Sequence, residues 1–302
     1  MKTASLSLAK TNTARISAWH DFKEITKMRL AISVVFSSLA GYLLGALYID
    51  WTTILLLAIG GYFMVGASNA YNQIIERDLD ALMNRTKNRP IPAGRMSVAQ
   101  AFAIASAFTI LGLLTLYYIN PKTAFFGGIS IFLYVCCYTP LKTRTPLSVF
   151  VGAFPGAIPF MLGWVAATDD FGIEAGTLFM IQFFWQFPHF WAIGWFLYDD
   201  YKKGGFAMLP SGERDKSTAL QVILYTIWTI LISIIPVFGV TGTLQLSVVS
   251  AVIVGVLGLG MLYYAIRLYI YQNNVTAKRL MLSSVSYITL IQLIYVADKF
   301  LR

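Results

Sequence analysis

Three oxygen-bearing side chains, Asn72, Glu76 and Asp80, recur four residues apart in the stretch NAYNQIIERDLDALMNRTKNRPIPAG, residues 69–94. At about 100° per residue they drift by roughly 80° over two helical turns and so share one face. Arg85 and Arg89 repeat the same spacing one turn on. If the helix continues, they add a cationic shelf beside the oxygen stripe, with Lys87 between them. Magnesium takes hard oxygen ligands, commonly one or two carboxylates completed by water and substrate phosphate. Guanidinium forks pair two phosphate oxygens at once. Acids, amide and arginines together suit a magnesium diphosphate. The plainer alternative is a charged loop with i,i+4 pairs. It leaves unexplained why the acids begin where an apolar helix is still running, since ionisable groups at membrane depth are costly and usually functional.

A second cluster closes another apolar run in WQFPHFWAIGWFLYDDYKKGG, residues 185–205. Asp199 and Asp200 fall at the same depth as Glu76 and Asp80. They serve either as a second metal site or as a helix end paired with Lys202 and Lys203, and Lys202 is a further candidate for the diphosphate. His189, one of two histidines, lies inside this span among aromatics. An intramembrane His is ordinarily a hydrogen-bonded packing residue, but imidazole is also the common axial ligand of heme iron. Lys142 and Arg144 sit on the same rim, either as plain positive-inside residues or as further caps for the diphosphate.

These residues need a scaffold, and composition names it. Of 302 residues, 57% are hydrophobic and 12% charged, far from a soluble domain. Nine apolar runs of spanning length lie near 29–48, 52–75, 98–119, 123–139, 147–167, 175–197, 218–238, 244–268 and 279–298. The predicted fold is all-α, about nine transmembrane helices around a central cavity, with residues 1–27 a cytosolic tail and 28–302 one domain. The tail lacks the apolar core and cleavage site of a signal peptide, and an interfacial helix is expected over 16–27. Basic loops gather on the side of the N-terminus, which the positive-inside rule makes cytoplasmic; the C-terminus then lies outside a cell inner membrane. The net charge of +9 is explained by this topology and by anionic headgroups of the bilayer, so no nucleic-acid partner is needed. Cys136 and Cys137 are adjacent in an apolar run and form no disulfide framework. A faint echo, ERDLDALMNRTKNRP after the second span and YDDYKKGGFAMLP after the sixth, fits two half-bundles facing across a cavity.

The pattern NxxxExxxD followed by NRTKNRP resembles the first motif of the UbiA superfamily of intramembrane prenyltransferases, and WQFPHF with DYxxGG resembles its heme-farnesylating branch. The superfamily more often carries NxxxDxxxD, and Glu76 departs from it; the DxxxD of the wider second motif is absent. YTPLKTRTPLSVFVGAFPGAIPFMLGW (138–164) and AKRLMLSSVSY (277–287) also fit, and TKMR at 26–29 is similar to the family's TKPR, which adds Arg29 to the anion site. The resemblance implies a UbiA-like fold and catalytic and metal roles for Asn72, Glu76 and Asp80. It implies magnesium as cofactor and farnesyl diphosphate and heme B as substrates, with water added to give heme O. His189 then becomes the leading heme ligand and His20 the fallback. Downstream partners would be a heme-copper oxidase assembly or a heme-modifying protein. Two alternatives stay open: a related enzyme with an aromatic acceptor, which needs no His189, and an ion-coupled transporter, which predicts acids near the bilayer midplane.

Overall fold

Polar residues that interrupt the apolar runs set where the helices begin. Asp50 accepts from the backbone N–H groups of Thr52 and Thr53, Ser97 and Gln100 form a capping box, and Asn120, Asp215, Ser247 and Asn273 each cap the helix that follows. Such caps satisfy N–H groups that no earlier turn can reach. The computed structural model describes residues 18–302. Its helices are α1 (Ala18–Ile25), α2 (Met28–Gly45), α3 (Trp51–Ile75), α4 (Arg77–Asp80), α5 (Val98–Tyr117), α6 (Pro121–Phe132), α7 (Thr139–Leu141), α8 (Ser148–Thr168), α9 (Ile173–Phe196), α10 (Tyr198–Lys203), α11 (Lys216–Ile234), α12 (Val248–Tyr271) and α13 (Asn274–Leu301). No strand occurs among the described residues. The helix expected over 16–27 is α1; residues 16 and 17 lie outside the described residues, with most of the tail.

Eight of the helical stretches are long and apolar enough to cross a membrane, α6 and α7 counting as one through the π-helical turn Leu133–Tyr138. The ninth long helix, α9, has 24 residues, about 36 Å at 1.5 Å per residue, and carries two Gln, a Pro and His189 among its aromatics. Its Gln182 and Gln186 are buried, and their polarity keeps it out of the eight candidate spans. Outward faces are apolar: Leu111, Leu114, Val252, Val256 and Leu259 are exposed. Tyr48, Trp51, Tyr117, Tyr118 and Phe171 are exposed at the end away from the loop that follows α4, as aromatic belts are at a membrane interface.

Packing divides the bundle into α2, α3, α5, α6 and α8 on one side and α9, α11, α12 and α13 on the other, joined where α8 meets α9 and α2 meets α13. At the α2–α8 crossing a Cβ on Gly41 would collide with Phe160 O, and one on Gly163 with Ser38 O. Only glycine lets the two backbones approach this closely. The central cavity is not shared evenly between the halves. It is walled by α2, α3, α4, α6, the π turn, α8, α9 and α10 with the loops beside them, and α11 to α13 contribute no lining residue.

Candidate active site

The oxygen stripe keeps its register although the helix bends. Glu76 has φ −90° and ψ 7°, which ends α3, yet Glu76 N bonds Asn72 O at 2.9 Å and Asp80 N bonds Glu76 O at 2.7 Å. The i→i−4 ladder therefore runs through the bend and holds all three side chains on one face, each at most 3% exposed. Beyond Asp80 the helix does not continue, the condition on which the cationic shelf depended: residues 81–97 are a series of turns and bends. Thr86 Oγ1 donates to Asp80 O at 2.8 Å and closes the last turn, and the loop folds back so that Arg89 reaches Asp80 by another route.

Two ion pairs dominate the cavity mouth. Arg89 NH1 lies 2.6 Å from Asp80 Oδ2, and Lys142 Nζ lies 2.8 Å from Glu76 Oε1. Burial pushes the Asp80 carboxyl above its ordinary value, and Arg89 offsets this only in part. Lys27, in the left-handed region with φ 46°, is half-buried at the same mouth. Its ammonium is pulled down to about 7, by burial first, then by the neighbouring charges of Arg89 and Lys142. The cations are thus crowded together more tightly than two carboxylates can neutralise, an arrangement suited to a polyanion.

The cavity measures about 430 Å³. Asn72, Glu76, Asp80, Arg85, Arg89, Lys142 and Lys27 line its mouth, and Tyr134, Tyr138, Gln186 and His189 lie along its walls. Arg85 stacks over the Tyr201 ring at 5.7 Å and Lys142 over Tyr138 at 4.5 Å. The π turn carries Tyr134 and Tyr138 and brings Thr139 Oγ1 within 3.2 Å of Asn72 Nδ2. Such turns recur at functional sites. Pro159 cannot donate to Pro155 O, and Ser130 Oγ donates to that carbonyl instead at 3.3 Å. Gln186 Nε2 donates to Ala153 O at 2.8 Å.

A magnesium ion fits the donor set. Asp80 Oδ1 is buried without a hydrogen-bond partner among the described residues. Thr139 occupies the Asn72 amide N–H, which leaves the amide oxygen for a cation. Two carboxylates and an amide oxygen are hard donors of the kind the ion prefers.

Other expected site residues are placed elsewhere. Asp200 accepts from Asn84 N at 2.8 Å and Arg85 N at 3.1 Å. Burial works against its charge, but these N–H groups and Lys203 overcome it and hold the carboxyl below its ordinary value. Asp199 is exposed and pairs with Arg214 at 2.9 Å. Neither acid lines the cavity, so a second metal site has no support in this geometry. Lys87, Arg144, Lys202 and Arg29 are exposed and outside the lining. In the 26–29 element it is Lys27, which takes a left-handed backbone between α1 and α2, and not Arg29, that lines the cavity. His20 is exposed on α1 near Asp21 and Glu24, away from the lining, whereas His189 is part of it. Lys27, Tyr134 and Gln186 were not foreseen; the lysine's place beside Arg29 in TKMR is the only signal that pointed there.

Comparison with known proteins follows the same outline. The UbiA prenyltransferase family model matches residues 34–289. The protoheme IX farnesyltransferase of Christiangramia forsetii is 73% identical over 98% of this chain and 99% of its own length. That of Cytophaga hutchinsonii is 40% identical over 94% and 99%. Among solved structures, a digeranylgeranylglyceryl phosphate synthase superposes with TM-score 0.76 at 17% identity, covering 93% of this chain and 98% of its own. A UbiA homolog from Archaeoglobus fulgidus bound to GPP and Mg2+ gives 0.63 at 14%, over 92% and 99%. Fold, cavity and sequence agree, and the chain belongs to the UbiA prenyltransferase family.

Proposed function

We propose that this protein transfers a farnesyl group from farnesyl diphosphate to a vinyl group of heme B, with addition of water, giving heme O. The observation that carries the reading is one cavity that has both an acid-and-cation mouth and His189 on its wall. From His189 to the end of α9 is seven residues, about 10 Å of helix. A diphosphate at the mouth therefore leaves room for a flat acceptor deeper in. Relatives up to 73% identical are named protoheme IX farnesyltransferase, which supports heme as the acceptor, and the homolog with GPP and Mg2+ supports a metal-held diphosphate.

Asn72, Glu76 and Asp80 would hold magnesium, which when bound supplies Lewis acidity to the departing diphosphate. Arg85, Arg89, Lys142 and Lys27 would pair with its remaining oxygens and stabilise charge that develops as the C–O bond breaks. Apolar walls keep bulk water from the allylic cation. The terminal vinyl carbon bonds to C1 of the farnesyl chain as diphosphate leaves. The cation left on the vinyl carbon next to the ring takes a water oxygen and releases one proton, and no protein nucleophile is required. The basic loops flanking the mouth favour a cytoplasmic mouth in the inner membrane, N-terminus inside and C-terminus outside. The product would pass to a heme-modifying protein or a heme-copper oxidase assembly.

Membranes containing the protein, given heme B, farnesyl diphosphate and Mg2+, are expected to form hydroxyethylfarnesyl heme, and a no-metal control is expected to form none. Prenylation of an aromatic acceptor with heme left untouched would overturn the reading.

A further inference from the structure

His189 is held by a helix other than its own. Its Nδ1 lies 2.9 Å from Ser284 Oγ on α13. Ser284 is fully buried, and its Oγ is also 2.7 Å from Met281 O. A carbonyl only accepts, so the single hydroxyl proton goes to Met281 O. The hydroxyl oxygen must then accept from His189, which puts the ring proton on Nδ1. Trp185, one turn earlier on α9, stacks on the imidazole at 4.7 Å with 19° between planes. Its indole N–H donates to Ser284 O at 2.6 Å. One serine thus binds both members of the stack, its hydroxyl fixing the imidazole and its carbonyl the indole.

The other ring nitrogen, Nε2, has no hydrogen-bond partner among the described residues, and His189 lines the cavity. A packing histidine in a membrane interior would be expected to satisfy both nitrogens. Here one nitrogen is tied down by Ser284 and the other is left without a partner on a residue that lines the cavity. Ligating imidazoles commonly donate their second N–H to an oxygen that sets the tautomer and ring orientation.

We infer that Ser284, braced by Trp185, is a positioning residue that holds His189 in its Nδ1–H form and presents Nε2 to the iron of the heme substrate. The inference rests on the heme reading above and assigns a task to α13, a helix that does not line the cavity. The serine touches no substrate and acts only through the imidazole.

Its test is a titration of the purified full-length protein in lipid nanodiscs with ferric heme B, read by optical and electron paramagnetic resonance spectra. Magnesium-dependent binding of farnesyl diphosphate is measured alongside as a check on folding. Wild type is expected to show an imidazole-ligated signal that His189→Ala lacks. Ser284→Ala is expected to weaken heme binding between about tenfold and a hundredfold and to alter that signal, with diphosphate binding unchanged. Ser284→Thr, which keeps the hydroxyl, is expected to restore most of both. A Ser284→Ala protein with wild-type heme affinity and spectrum overturns the inference while His189 stays the ligand. Parallel loss of heme and diphosphate binding in both serine variants overturns it as well, since packing alone would then explain the residue. A His189→Ala spectrum identical to wild type sinks the heme-ligand reading itself.

Discussion

Two acidic clusters follow long helices at one end of the bundle, and only one of them lines the cavity. The Asn72, Glu76 and Asp80 stripe is buried, faces the cavity and leaves Asp80 Oδ1 without a hydrogen-bond partner among the described residues. The Asp199 and Asp200 pair lies in the first turn of α10 at the same end, but Asp200 spends both oxygens on the backbone of residues 84 and 85, and Asp199 faces solvent. Residue type is the same in both places. What separates them is whether the carboxylate oxygens are already satisfied by the chain: an unsatisfied buried acid is available to a ligand, and a satisfied one is a brace. In this comparison the second motif serves the first by fixing the loop that carries Arg85.

The largest expected effect lies on the first side. Asp80→Asn keeps the shape and removes the charge, and should lower kcat/KM at least about a hundredfold while the protein remains folded and membrane-inserted. A near-normal rate would place the stripe in the same class as Asp199. Asp200→Ala should cost less, about tenfold in KM for farnesyl diphosphate with kcat nearer wild type, because it loosens Arg85 without touching the proposed magnesium-binding stripe. An Asp200→Ala enzyme as impaired as Asp80→Asn would erase the distinction between ligand and brace.

Acidity sharpens the comparison further. Lys27 titrates at about 7 in the unliganded site, and a bound diphosphate favours its charged form. Below that pH the ammonium is already charged; above it, binding must take up a proton, so affinity should fall by at most about tenfold per pH unit. Lys27→Met should bind more weakly and lose this part of the pH dependence, as measured by calorimetry between pH 6 and 9. The smallest effect belongs to Asp199→Ala, an exposed pair whose loss should change kcat/KM by less than about twofold.

Most of the fold was legible because membrane spans are written in hydropathy: α3, expected over 52–75, runs from 51 to 75, and α8, expected over 147–167, runs from 148 to 168. The stripe was legible too, since acids at the end of an apolar helix have few structural explanations. Orientation was not. Lys87, Arg144 and Lys202 lie at the expected end of the bundle, but side-chain direction in a loop is set by turns that the residue types do not encode. The same blindness hid Lys27, which lines the cavity from a left-handed backbone. It also hid Tyr134 and Tyr138, which a π turn with no sequence signature rotates onto the cavity. Asp200 was recognisable as important, but its partners are backbone N–H groups more than a hundred residues away, which local spacing cannot reveal.

The most direct measurement compares substrate binding in wild type, Asp80→Asn and His189→Ala, each purified in nanodiscs. If one cavity holds the diphosphate at the stripe and the acceptor at His189, Asp80→Asn loses magnesium-dependent binding of farnesyl diphosphate and keeps heme B, while His189→Ala does the reverse. Retention of magnesium-dependent diphosphate binding by Asp80→Asn at wild-type affinity would contradict the assignment of the stripe, and with it the central claim.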